Sequence, residues 1–173
     1  MMARKGYCVV VLWLGMVSTA MADNNVHFTG QLVADVCQLV VNGNTLAEVV
    51  FSPVSAADLT VRRQSAHIPF TLQLKDCKTT LSDGVKVKFS GTTASGMNGF
   101  LALDAASNAG GIAIGIETAA GTQVEVNGAS GAEFTLNNGL NTLNFNAWVQ
   151  ARDGDVITPG TFSATANVAF EYL

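Results

Sequence analysis

Charge is scarce in this chain. Only 13% of its 173 residues are Asp, Glu, Lys or Arg, about half the share of roughly 25% that a soluble domain carries. What charge there is sums to −4, which excludes a basic face for nucleic acid. Histidine is scarcer still: His27 and His67 are the only two. A His-rich metal site is therefore nearly excluded, and a hydrolase triad would have to draw on one of these. G-x-S-x-G, H-E-x-x-H and P-loop patterns are missing. Asp153 and Asp155 flank Gly154 in a turn, where solvated acids are expected. The chain is thus read as no enzyme, and no cofactor is implied. Proline is rare (3) while glycine is common (17), and with 49% hydrophobic residues the chain is neither disordered nor collagenous.

Long apolar runs are also missing, with one exception at the N-terminus. Arg4 and Lys5 make a positive start, Tyr7 to Val17 an apolar stretch, and Ala20-Met21-Ala22 an A-x-A site. Residues 1–22 read as a cleaved secretory signal peptide. The apolar stretch falls short of the roughly 20 residues of a membrane-spanning helix, so no stable membrane insertion is expected. An uncleaved anchor is the alternative. Cleavage removes two of the nine basic residues and none of the thirteen acidic ones, leaving an exported, acidic, single domain.

Two cysteines then remain, Cys37 and Cys77. In an oxidising compartment they are expected to pair. On the chain-entropy model a bridge over that span stabilises by roughly 4 kcal/mol. A redox or metal pair is the other reading, and the spacing is far from C-x-x-C.

The rest of the chain alternates. Ile68, Phe70, Leu72 and Leu74 are separated by Pro69, Thr71 and Gln73; Val85, Val87 and Phe89 by Lys86 and Lys88. Ile112, Ile114 and Ile116 alternate with small residues, and Leu143, Phe145, Ala147 and Val149 mainly with polar ones. This is the pattern of strands with one face in and one face out. Asn42-Gly43, Asp83-Gly84, Asn98-Gly99, Asn127-Gly128, Asn138-Gly139 and Asp153-Gly154 supply the tight turns. Short strands with frequent turns predict an antiparallel sandwich or barrel. Ser55–Arg63 alone has room for a helical turn. Trp148 stands on the parity opposite the inward set, which would expose it for a ligand, a receptor or a neighbour. The other reading packs it on the second face or beneath a loop.

Two segments stand apart. Ahead of Cys37, the even positions Val26, Phe28, Gly30, Leu32, Ala34 and Val36 are apolar or Gly, and four of the five residues between them are polar. Near the C-terminus, Phe162, Ala164, Ala166, Val168, Phe170 and Tyr172 alternate with mostly polar residues, and Leu173 follows. Taken alone, the first of these is equally readable as an ordinary first strand on its own core.

With the cysteines, these segments resemble the structural subunits of chaperone–usher pili, type 1 fimbrial pilins in particular. Val26-His27-Phe28-Thr29-Gly30 is similar to the family's donor-strand motif. Cys37 and Cys77 stand where the family has its single disulfide, the second closing the run from Phe70. Leu101-Ala102-Leu103 and Asn141-Thr142-Leu143-Asn144-Phe145 fit the same family. Gly160, with Tyr172 penultimate, resembles its chaperone-recognition signature.

The resemblance implies an all-β fold: an incomplete immunoglobulin-like antiparallel sandwich lacking its last strand. Residues 1–22 would be the signal peptide, 23–36 an N-terminal donor-strand extension and 37–173 the pilin domain. Even positions 162–172 would line the resulting groove, with Gly160 and Leu173 at its ends. A periplasmic Ig-like chaperone would cover the groove first and an outer-membrane usher would pass the subunit on. The donor face Val26, Phe28, Gly30, Leu32 and Ala34 of a neighbouring pilin subunit would replace the chaperone, with Phe28 engaging first. The chain would travel through the periplasm to a fimbrium at the cell surface. Within the fibre it is read as a structural subunit. The alternative is a minor, adaptor or tip subunit with some ligand or receptor binding, which the short stretch before Cys37 favours slightly. The donor segment of an isolated chain is expected to project or to make few contacts.

Overall fold

The structure, a computed structural model, describes residues 36–40 and 48–173. The signal-peptide and donor-strand expectations, and the Asn42-Gly43 turn, lie outside the described residues. Among the described residues, seven strands and one helix follow in order: β1 (Gln38–Val40), α1 (Ala56–Arg62), β2 (Ile68–Cys77), β3 (Gly84–Gly91), β4 (Ile112–Thr118), β5 (Ala132–Thr135), β6 (Gly139–Ala151) and β7 (Ala166–Tyr172). All the ladders are antiparallel. One sheet has the order β1-β2-β6-β4 and the other β5-β3-β7.

The alternating residues fill the space between the sheets. Phe70 pairs with Phe145 and Leu72 with Leu143 across β2 and β6. From the opposite sheet Val85, Val87 and Phe89 are buried. Phe145, 1% exposed, is the hub: its ring lies 5.5 Å from Phe70, 5.3 Å from Phe89 and 5.3 Å from Phe134. The Phe89 and Phe134 contacts are edge-on, an arrangement that the ring quadrupole favours.

Two local devices set the ends of the sheets. Leu72 and Leu74 point inward, so strict alternation would turn Cys77 outward. A bulge between Leu74 and Cys77, with Asp76 at φ 55°, resets the parity. Cys77 becomes buried and joins Cys37, with Cα atoms 4.1 Å apart. Ser55 caps α1, its hydroxyl accepting from the Asp58 amide at 3.2 Å. Arg63 closes the helix in the left-handed conformation. Its carbonyl accepts from Ala151 N at 2.7 Å and its side chain pairs with Asp153, tying the helix to the end of β6.

Candidate polymerisation groove

The last strand is where the sandwich is open. Antiparallel pairing with β3 runs from Gly91↔Ala166 to Val85↔Tyr172. Leu173 N donates to Gly84 O at 3.0 Å, so odd-numbered backbone groups of β7 face β3. Further back, the carbonyls of Thr161 and Ser163 accept from Asn108, Ala109 and Asp104 amides. Successive backbone groups of a strand point to opposite edges. The even-numbered groups from 162 to 170 are therefore turned to the other edge, where no strand pairs with β7 among the described residues.

The side chains tell the same story. Phe162, Ala164, Ala166, Val168, Phe170 and Tyr172 all face the core, yet each is only half-buried. Their partners on β3, facing the same interior, are closed off: Val85 and Val87 are 0% exposed and Phe89 3%. Across the gap, Val36, Val49, Phe51, Val54 and Phe70 are half-buried too. Phe51 lies 5.7 Å from Phe162 and lines a depression of about 230 Å³ with Val54 and Ile68 at that end. Leu39 on β1 pairs with buried Leu74 and so faces the interior, yet it is 48% exposed. An apolar trough thus runs along β7, bounded on the far side by β1, β2 and the segment leading to α1.

Its ends are fixed by polar contacts and a close approach. The Ser82 hydroxyl bonds the Leu173 oxygen at 2.6 Å. Gly160 lies against the chain at Asn108, where a Cβ would come within 2.6 Å of backbone carbon. Only glycine fits there, which gives this residue a local structural reason beside its place in the recognition signature.

A model of the fimbrial protein family matches residues 26–173. The chain belongs to this family. It is 47% identical to the fimbrial-like protein YfcP of Escherichia coli strain K12, over 100% of this chain and 98% of that one. It is 32% identical to the type-1 fimbrial protein C chain of Escherichia coli, covering 93% and 92%. Among solved structures it superposes on the P pilus rod subunit PapA with a TM-score of 0.70 and 26% identity, over 80% of this chain and all of that one. The fold of this fimbrial subunit is the incomplete immunoglobulin-like sandwich, with β7 paired on one edge only among the described residues.

The site residues divide accordingly. Gly160, the even positions from Phe162 to Tyr172, and Leu173 lie along one line. Cys37 and Cys77 are joined at its Leu173 end. Val26, Phe28, Gly30, Leu32 and Ala34 lie outside the described residues. Of the two readings of Trp148, the structure shows the packed one: the side chain is 6% exposed on the second face. Facing Gly115 across the ladder, its indole stacks on His67 at 4.9 Å and meets Phe100 edge-on at 5.9 Å, while Nε1 donates to Gln150. His67 in turn pairs with Glu117 at 2.7 Å. Parity alone placed the indole on the outer face. The missing side chain of Gly115, which leaves the ring a seat, was the signal that it would be covered.

Proposed function

We propose that this fimbrial subunit joins its fibre by donor-strand exchange. The apolar parity of the segment before Cys37, from Val26 to Ala34, enters the trough of the next subunit and supplies the strand that β7 lacks. The observation that carries the reading is the uniform half-exposure of the inward side chains from Phe162 to Tyr172 beside the fully buried inward side chains of β3, Val85, Val87 and Phe89. An edge strand whose inward apolar side chains stay half-exposed is an aggregation hazard in a free subunit. That hazard is the physical reason for a chaperone that covers the trough in the periplasm and an usher that exchanges it for a neighbour.

The energies are of the right size. About five apolar side chains at roughly 1.5–3 kcal/mol each give about 8–15 kcal/mol before entropy losses, and backbone pairing adds to this. A joint without covalent bonds then lasts long enough for a surface fibre. Gly30 belongs where the trough wall comes closest to the incoming backbone. Residues 1–22 act as the signal peptide in this account and 23–36 as the extension. The contact is head-to-tail, so it grows an open filament.

A Gly30→Trp chain tests this. It should accumulate folded with its chaperone and fail to join the next subunit. Its incorporation into fibres at the normal level refutes the assignment of the donor face.

A further inference from the structure

We infer that the edge of the sandwich opposite the trough is a binding site for a neutral sugar. β1 and β4 are the outer strands of one sheet, and β7 and β5 those of the other. The trough opens on the β1 and β7 side. On the far side a cavity of about 460 Å³ lies between β5, the end of β4 with the turn after it, and the first part of β6. That volume is within the roughly 300–1,000 Å³ of small-molecule sites.

The cavity exists because β4 is shorter than β6. Their pairing stops at Thr118↔Phe145, while β6 starts back at Gly139. Ala119 N donates to Asn144 O at 3.1 Å, so the even-numbered backbone groups of β6 are turned away from β2 here. Those of Thr142 come next, past the last residue of β4, and no strand pairs with them on that side among the described residues. One backbone donor and one backbone acceptor thus open onto the cavity. The wall made by the turn is firm: Thr118 N donates to Thr122 O at 2.9 Å and Val124 N to Ile116 O at 2.8 Å. A site built before its ligand arrives loses little to ordering.

The lining selects the ligand. Thr122, Gln123, Thr142 and Asn144 present hydroxyls and amides, and none of these four side chains has a hydrogen-bond partner among the described residues. Each both donates and accepts, as a ring of hydroxyls requires. Val124 and Ala132 are buried and Phe134 is half-buried, an apolar floor for the C–H face of a sugar ring. The one charged lining residue is Glu133, whose carboxylate Lys86 holds at 3.1 Å. An acidic sugar would meet no counter-charge on this lining. A hydrocarbon would leave the four side chains and the Thr142 backbone unpaired. A neutral polyol meets both demands. Filling the trough leaves this edge open, so a fibre repeats the site and adds weak single contacts into firm attachment.

Saturation-transfer NMR reads this binding. The purified chain, as free subunit or as fibres, is mixed in turn with the methyl glycosides of galactose, mannose, glucose, N-acetylglucosamine and N-acetylneuraminic acid. Transfer to the ring protons of at least one neutral glycoside is expected, and none to the acidic one. Asn144→Ala and Gln123→Ala should each weaken the binding about tenfold, the loss of one well-placed hydrogen bond. Both side chains are exposed, so the yield of folded chain should match the unaltered one. Thr60→Ala, on α1, should bind as the unaltered chain does. Transfer to none of the neutral glycosides overturns the inference. So does binding that survives both cavity substitutions, or transfer to the acidic glycoside alone.

Discussion

Single residues carry the core of this sandwich. Phe145 touches three other rings from both sheets, and nothing nearby can collapse into its place without separating them. Phe145→Ala should therefore cost about 3–5 kcal/mol, read as a lower midpoint in urea unfolding. Glu117 gives a pH signature. Its side chain is only 12% exposed. Partial burial pushes its pKa up, but hydrogen bonds from His67 and Asn146 and the His67 charge outweigh this, and the carboxyl ends below its ordinary value of 4.5. A folded pKa below the unfolded one means stability that is fully present above about pH 4.5 and lost as pH falls through the lower folded value. Thermal unfolding from pH 6 down to pH 3 should show that loss, and Glu117→Gln should flatten it. Trp148 shows where alternation stops short. Alternation says which face a side chain takes; it does not say that His67 and Phe100 cover that face.

At the scale of elements, the strands that alternate over many residues were legible. Ile68 to Leu74, Val85 to Phe89 and Leu143 to Val149 lie within β2, β3 and β6. The stretch read as a helical turn, Ser55–Arg63, contains α1. The three residues of β1 and four of β5 were not legible, because so short a stretch contains no period to count. Residues 162–165 alternate as β7 does but bond to the loop at 104–109 instead of β3, a choice of partner that pattern cannot reveal. Ile112–Ile116 is buried on both faces, since Ala113 and Gly115 lie on the face that Trp148 covers. The Cys37–Cys77 bridge pins the first strand to the end of β2. Cys77→Ser should cost about 2–5 kcal/mol, visible as a fall in melting temperature and in the amount of folded subunit recovered.

For the whole molecule, the sequence contains both halves of the proposed joint: an apolar parity ahead of the first cysteine and another after Gly160. Neither identified the acceptor wall, because Val49, Phe51, Val54 and Leu39 come from separate segments that only the fold brings alongside β7. The central claim is that this trough wants a strand. It is tested most directly by the thermal unfolding of a chain carrying a second copy of its own residues 23–36 after Leu173, joined by a short turn. For a domain of this size about 1 kcal/mol moves the melting point by roughly 2–4 °C. Filling the trough is worth about 8–15 kcal/mol before entropy losses, so the self-complemented monomer should melt tens of degrees higher and no longer polymerise. A melting point equal to that of the unaltered chain, with polymerisation undiminished, would contradict the account.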